Sequence, residues 1–300
     1  MKSITKNNLK EYTNLLSFKD FLLKQKKFFE EKIVSLSSDQ NNIKITLNDI
    51  DGLEKEKEII RDLMFFLKIK DNENNLPINF NYVKPRGFLL YGPSGIGKTF
   101  LIKALSNECN DQNNYVHFFY VDPAMFQSQY VEASEVMINN FCKKIEQYKK
   151  SIVFIDEIDV FSNKDNKNKT SIYGITDILM NKIDGFKDNE QKIIVIGATN
   201  NLNKIDKSLR IRFDKEIYIG FLKNKEIEEF LKHIVLPLDI SYEAFIYLKE
   251  LATEFYDKEY SNRKIKSVID SAYIKTAKNK RKSMSASDLK EAFEEMNRRI

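Results

Sequence analysis

The sequence predicts an α/β fold, a doubly wound parallel sheet followed by a small all-α lid, and three observations carry that prediction. Short apolar runs such as Ser151-Ile152-Val153-Phe154-Ile155 alternate with helical patterns, as in a parallel sheet covered on both faces. One such run, Phe88-Leu89-Leu90-Tyr91, leads into Gly92-Pro93-Ser94-Gly95-Ile96-Gly97-Lys98-Thr99, which satisfies the G-x-x-x-x-G-K-[ST] phosphate-binding pattern in its strand-turn-helix context. Beyond Gly220 the strand signals stop and only helices follow.

Composition bounds the classes. The 300 residues are 42% hydrophobic and 31% charged, enough for one large α/β domain with small additions. A net charge of +5 on this length reads as a lysine-rich solvated surface and demands no anionic partner. No apolar stretch reaches the ~20 residues that span a bilayer, and the N-terminus shows no signal-peptide pattern. Two cysteines, Cys109 and Cys142, sit in helical patterns without metal-ligand spacing, so a reducing, cytoplasmic setting is expected.

Three segments are expected: an N-terminal amphipathic helical segment and linker over 1–42, an α/β nucleotide-binding domain over 43–220, and a helical lid over 221–300. In the first, Leu15, Phe18, Leu22, Phe29 and Ile33 recur at helical spacing among lysines. Two readings fit that helix: docking on its own domain or a neighbouring subunit, and peripheral contact with a membrane surface. Ile45 to Leu53 then leads into a helix over 54–68, ended by a polar stretch and Pro77. Strands are predicted at 88–91, 115–121, 151–155, 192–197 and 215–219, with helices after the phosphate loop, over 122–142 and over 172–183. The apolar-free run Asn163 to Lys169 is an exposed loop. In the lid, helices are predicted over 225–234, 242–256 and 262–278, with a last one opened by Ser285 and Asp288 as a capping box.

The phosphate loop implies chemistry. Glycines let backbone N–H groups turn inward as an anion cradle at a helix N-terminus, Lys98 reaches the β- and γ-phosphates, and the Thr99 hydroxyl ligates Mg²⁺. Hydrolysis also needs a carboxylate near the metal, a base, a group to align water and positive charge on the transferred phosphoryl. Asp156 and Glu157, at the end of an apolar strand, supply the first two.

These motifs together resemble the AAA family of ATPases over residues 45–299. Asn48-Asp49-Ile50-Asp51-Gly52-Leu53 is similar to the family's D-[IV]-x-G-L segment, which implies adenine contact at Asp51 and Gly52. Ile152 to Asp159 resembles its Walker B run, Asn181-Lys182-Ile183-Asp184-Gly185-Phe186 its N-E-M-D-G-F helix end, and Ile196-Gly197-Ala198-Thr199-Asn200 its sensor-1 strand, with Asn200 as the water-positioning residue. The implied nucleotide contacts are Pro93, Ser94, Gly95, Ile96, Gly97, Lys98, Thr99 and Phe100, with Thr99 and Asp156 holding Mg²⁺ and Glu157 polarising water. The run Glu58 to Lys68 looks most like FtsH proteases, although the H-E-x-x-H of a zinc protease is not in the sequence and His117 and His233 lie in separate segments.

Some segments depart from the pattern. The family's L-R-P-G-R-F-D is shortened here to Leu209-Arg210-Ile211-Arg212-Phe213-Asp214, and either Arg210 or Arg212 is the candidate finger acting on a neighbouring subunit. The pore-loop segment reads Tyr130-Val131-Glu132, with glutamate in place of glycine, so that Tyr130 either grips a polypeptide or packs as an ordinary aromatic. In Tyr260-Ser261-Asn262-Arg263, Arg263 is either a sensor-2 arginine on the γ-phosphate or a solvent-facing residue.

The resemblance implies an ATP- and Mg²⁺-dependent hydrolase without protease activity, forming a homo-oligomeric ring, six-fold by analogy, that remodels a protein partner. A scaffold subunit of FtsH-like rings and a nucleic-acid motor are the alternatives, nucleic acid ranking last for want of a recognisable binding domain.

Overall fold

The computed structural model describes residues 45–68, 87–110, 115–122, 131–162 and 192–298. The N-terminal amphipathic helix, Tyr130, the 163–169 loop, the 172–183 helix and the Asn181 to Phe186 motif lie outside those residues.

Five strands form one wholly parallel sheet: β1 (Gly87–Tyr91), β2 (His117–Val121), β3 (Lys150–Ile155), β4 (Lys192–Thr199) and β5 (Lys215–Tyr218), in the spatial order β2-β3-β4-β1-β5. All five strands predicted from apolar runs are present, within two residues at either end. Their continuous apolar character has a simple cause. Alternate residues feed opposite faces, and both faces are covered.

On one face Leu89, Phe119, Val121, Val153, Ile155 and Val195 pack with Ile138, Phe141, Cys142 and Ile145 of helix α3 (Val131–Ile145). On the other, Phe88, Leu90, Ile152, Phe154, Ile194 and Ile196 pack against α1 (Glu54–Lys68) and α2 (Lys98–Cys109) through Ile60, Leu67, Leu101 and Leu105. Phe154 is fully buried there, and truncating such a residue to alanine typically costs about 3–5 kcal/mol. Both cysteines are buried and form no disulfide.

A one-turn helix, α4 (Lys207–Arg210), precedes β5. Four helices follow: α5 (Asn224–Val235), α6 (Tyr242–Asp257), α7 (Asn262–Lys278) and α8 (Ala286–Asn297). They share their own core, including Leu231, Leu248, Phe255, Ile265, Ile269, Leu289 and Phe293. Ser241, Ser261 and Ser285 each accept a hydrogen bond from the first-turn backbone as N-caps, and Ser285 with Asp288 completes the predicted capping box.

Register decides where chemistry can gather. Tyr91 stands opposite Thr199, Ile155 opposite Gly197 and Val121 opposite Ile155. The residues that follow β1, β3 and β4 therefore emerge together at the carboxyl edge of the sheet, where ligands of such sheets bind. Because β4 lies between β1 and β3, the Asn200 turn is placed between the phosphate loop and Asp156.

Candidate active site

The loop between β1 and α2 is shaped by three glycines at φ 150° (Gly92), 78° (Gly95) and 101° (Gly97). A Cβ on Gly92 would lie 1.9 Å from the Ile219 carbonyl oxygen, so the loop's root passes too close to the neighbouring chain for any side chain. Gly97 is the opposite case. It has nothing within 4 Å on its Cβ side, which leaves room beside the α2 N-terminus for an anion.

Lys98 is buried, and its ammonium donates to the Gly92 carbonyl (2.7 Å), the Pro93 carbonyl (2.9 Å) and Asn200 Oδ1 (2.8 Å). Burial pulls its pKa below the ordinary lysine value, while the charges of Asp156 and Asp159 push it back up. The lysine thus ties the phosphate loop to the Asn200 turn. Thr99 Oγ1 donates to Asp156 Oδ2 at 2.9 Å, joining the loop to β3 as well.

Asp156 accepts three hydrogen bonds. Thr99 and the Tyr120 hydroxyl (3.3 Å) reach Oδ2, and the Glu157 backbone N–H reaches Oδ1 at 3.0 Å. The Tyr120 phenol is pushed up to about 12, first by burial and then by the Asp156 charge, so it stays a neutral donor across the ordinary pH range. Glu157 is exposed and held at φ 48°, a left-handed conformation that costs a non-glycine residue about 1–3 kcal/mol. Asp159 fixes the far side of that turn, its Oδ1 accepting from Thr199 Oγ1 at 2.7 Å, while Thr199 Oγ1 accepts from the Asn201 N–H at 2.9 Å. The Glu157 and Asn200 turns are therefore braced against each other.

The lid closes over the same loop. At the start of α7, the Arg263 N–H donates to the Gly95 carbonyl (3.0 Å) and Asn262 Nδ2 donates to the Ile96 carbonyl (3.0 Å). The loop's carbonyls face the lid. Arg263 itself is exposed beside the loop. Phe100, on the first turn of α2, is also exposed.

Asp51 and Gly52 form a second junction. Gly52, at φ 65°, has its Cβ direction blocked at 2.7 Å by Glu226 of α5, and Asp51 Oδ1 meets His233 Nδ1 of α5 at 2.7 Å. Buried Lys57 donates to the Ile50 carbonyl and to Glu54, holding this turn from the α1 side. His233 thus serves this turn, and the His117 ring lies tilted against Tyr148 with centroids 3.6 Å apart, where burial lowers its pKa.

Arg210 and Arg212 lie at the other end, before β5. The Arg210 guanidinium makes a bidentate pair with Glu216 of the same chain, both contacts at 2.7 Å. That pair raises the arginine pKa and lowers that of the carboxyl. One of the two candidate fingers is therefore engaged within its own chain.

The structure thus brings Gly92 to Thr99, Asp156, Glu157 and Asn200 together, with Arg263 and the Asp51–Gly52 turn along the lid junction. Arg210 is bonded to Glu216 instead. Sequence reasoning missed Tyr120, Asp159, Thr199, Lys57 and Asn262. Of these, Asp159, Thr199 and Asn262 sat inside quoted motifs, and Tyr120 was recognisable as a polar tip at the end of an apolar strand.

The donor set fits a hard divalent cation held beside phosphates. The Thr99 hydroxyl and the Asp156 carboxylate are both oxygen donors, and Mg²⁺ is commonly bound by one or two carboxylates together with phosphate oxygens. The glycine-lined space at Gly97 fits the phosphate chain.

Comparison with known proteins points to one family. The pattern of the ATPase family associated with various cellular activities (AAA) matches residues 88–221. The chain is 32% identical to vacuolar protein sorting-associated protein 4A of Rattus norvegicus over 202 residues, 65% of this chain and 43% of that protein. It is 31% identical to the ATP-dependent zinc metalloprotease FtsH of Mycoplasmoides gallisepticum over 252 residues, 82% of this chain and 31% of that protein. It is 30% identical to cell division protein C of Sulfolobus acidocaldarius over 242 residues, 78% of this chain and 60% of that protein. The aligned part is thus less than two thirds of each of these relatives. Among the described residues no helix is long and apolar enough to cross a membrane. With its five-stranded parallel sheet, its phosphate loop and this match, the α/β unit of the chain belongs to the AAA family of ATPases.

Proposed function

We propose that the chain hydrolyses ATP with Mg²⁺, assembles as a homo-oligomeric ring and uses the turnover to remodel or unfold a protein partner. The observation that carries this reading is the joined set Lys98–Asn200 and Thr99–Asp156, which holds phosphate-binding, metal-binding and water-aligning groups at one sheet edge.

Backbone N–H groups from Gly95 to Thr99 bind the phosphates, and Lys98 redirects its ammonium from the Gly92 and Pro93 carbonyls to phosphate oxygens. Thr99 and Asp156 would hold Mg²⁺, which would neutralise charge developing on the transferred phosphoryl group. Glu157 polarises the attacking water and Asn200 orients it. The Asp51–Gly52 turn contacts the adenine, and Arg263, exposed beside the phosphate loop, reaches the γ-phosphate. Either Arg210, which would first have to leave Glu216, or Arg212 acts on the neighbouring subunit's phosphoryl. The lid and sheet move together through the α7 contacts to the phosphate loop. This motion is the route by which hydrolysis reaches a protein substrate.

The test is phosphate release measured against protein concentration, with Glu157→Gln alongside. Turnover per chain should rise with concentration, and Glu157→Gln should bind ATP yet release no phosphate. Unchanged release by Glu157→Gln overturns the catalytic assignment, and concentration-independent turnover overturns the ring.

A further inference from the structure

Tyr120 stands at the last turn of β2, outside every motif used above. Its strand position explains how it reaches the site. Tyr120 pairs with Phe154 of β3 in the parallel register, and Asp156 follows one residue past the end of β3, two positions after Phe154, so that its side chain continues the face that Tyr120 and Phe154 share. The Tyr120 ring lies against Phe154 with centroids 5.9 Å apart, and its hydroxyl continues past that ring to Asp156 Oδ2 at 3.3 Å. The register extends one step beyond the strand, with the Asp156 N–H donating to the Val121 carbonyl at 3.0 Å.

Asp156 is therefore held from three sides. Thr99 and Tyr120 share Oδ2, and the Glu157 N–H holds Oδ1. Of these partners Thr99 is itself a metal ligand in the proposed site, so its hydroxyl must turn toward the cation when one binds. The Glu157 N–H alone leaves the carboxylate free to twist about its own axis. Tyr120 is the donor that remains on Oδ2, carried by a ring that Phe154 keeps in place.

We propose that Tyr120 is a positioning residue for the divalent cation, fixing the angle of the Asp156 carboxylate so that the site accepts Mg²⁺. The inference rests on the reading of Thr99 and Asp156 as the metal-holding pair. Mg²⁺ demands near-ideal octahedral geometry, so a carboxylate at the wrong angle is penalised. Loss of an outer partner of a metal ligand typically weakens the metal by about 10–100-fold, and the length of the Tyr120 bond places the effect near the lower end, about tenfold.

Tyr120→Phe removes the hydroxyl and keeps the ring on Phe154. The test is the binding of a fluorescent ADP analogue to the full chain, first in EDTA and then across a MgCl₂ titration, with thermal denaturation alongside. In EDTA the variant should bind the analogue as the native chain does and denature at the same temperature. It should need about tenfold more Mg²⁺ for the half-maximal metal-dependent change. Superimposed Mg²⁺ curves overturn the inference while leaving the metal site standing. An equal loss of affinity in EDTA also overturns it, because the role is then structural. If the native chain shows no response to Mg²⁺, the metal-holding pair itself is refuted and the inference falls with it.

Discussion

Gly95 and Gly97 both lie at positive φ, yet their surroundings differ, and an alanine at each separates two costs. At Gly97 (φ 101°) a Cβ meets nothing within 4 Å. Its alanine variant incurs only backbone strain, about 1–3 kcal/mol. At Gly95 (φ 78°) the same Cβ sits 3.1 Å from Arg263 Cβ and 3.1 Å from Ser261 Oγ, both on the lid. Neither neighbour is free to yield: Ser261 caps α7, and the Arg263 N–H is bonded to the Gly95 carbonyl itself. Crowding of this kind adds about 1–3 kcal/mol. Gly95→Ala should therefore lose more stability than Gly97→Ala by that increment. The extra loss should appear as earlier exposure of the lid to protease, since the contact that must open is the one between α7 and the phosphate loop. Urea denaturation followed by tyrosine fluorescence, the chain having 14 tyrosines and no tryptophan, measures the first quantity. Limited proteolysis without nucleotide measures the second. Equal losses in the two variants, or a lid equally protected in both, would refute the claim that the lid is seated on the loop through Gly95.

Two further outcomes follow from side-chain geometry. Asp288, buried in the lid, accepts from the Ser285 N–H (3.0 Å), Ser285 Oγ (2.8 Å), Thr276 Oγ1 (3.0 Å) and the Arg281 guanidinium. Burial alone pulls its pKa up, but the Ser285 and Thr276 hydrogen bonds and the Arg281 charge outweigh burial and hold it below the usual carboxylate value. A depressed carboxyl stabilises the fold above its unfolded pKa of about 3.9, and that contribution is lost as pH falls through the lower folded value. Asp288→Ala should cost about 3 kcal/mol at neutral pH, and its acid denaturation below pH ~4 should be shallower than that of the native chain. For the arginines, Glu216→Ala breaks the intrachain pair alone, and Arg210→Ala should lose more turnover than Glu216→Ala only where Arg210 acts on the neighbouring subunit. The alanine variant of the arginine that acts there should lose on the order of 10³-fold. Mixing that variant with Lys98→Ala chains should restore part of the turnover, and no recovery on mixing, or a small loss in both Arg210→Ala and Arg212→Ala, would refute a finger in this loop.

The division between sequence and structure follows the range of the interactions. Local signals determined the strands, the helices and the phosphate loop, because burial on both faces forces continuous apolar runs and tight backbone turns force glycine. Thr99, Asp156 and Glu157 were legible for the same reason, since each ends or begins an element at a fixed offset from such a signal, while Asn200 was legible only through the resemblance of its strand to the family's sensor-1 segment. Tertiary structure alone decided which of these groups touch. The order β2-β3-β4-β1-β5 put Asn200 on Lys98 across 102 positions of chain, and the β2/β3 register put Tyr120 on Asp156. It also paired Arg210 with Glu216 and seated Asn262 and Arg263 on the loop carbonyls. Those contacts join residues distant in sequence whose types are individually ordinary, and a pattern along one chain carries no record of distance through space.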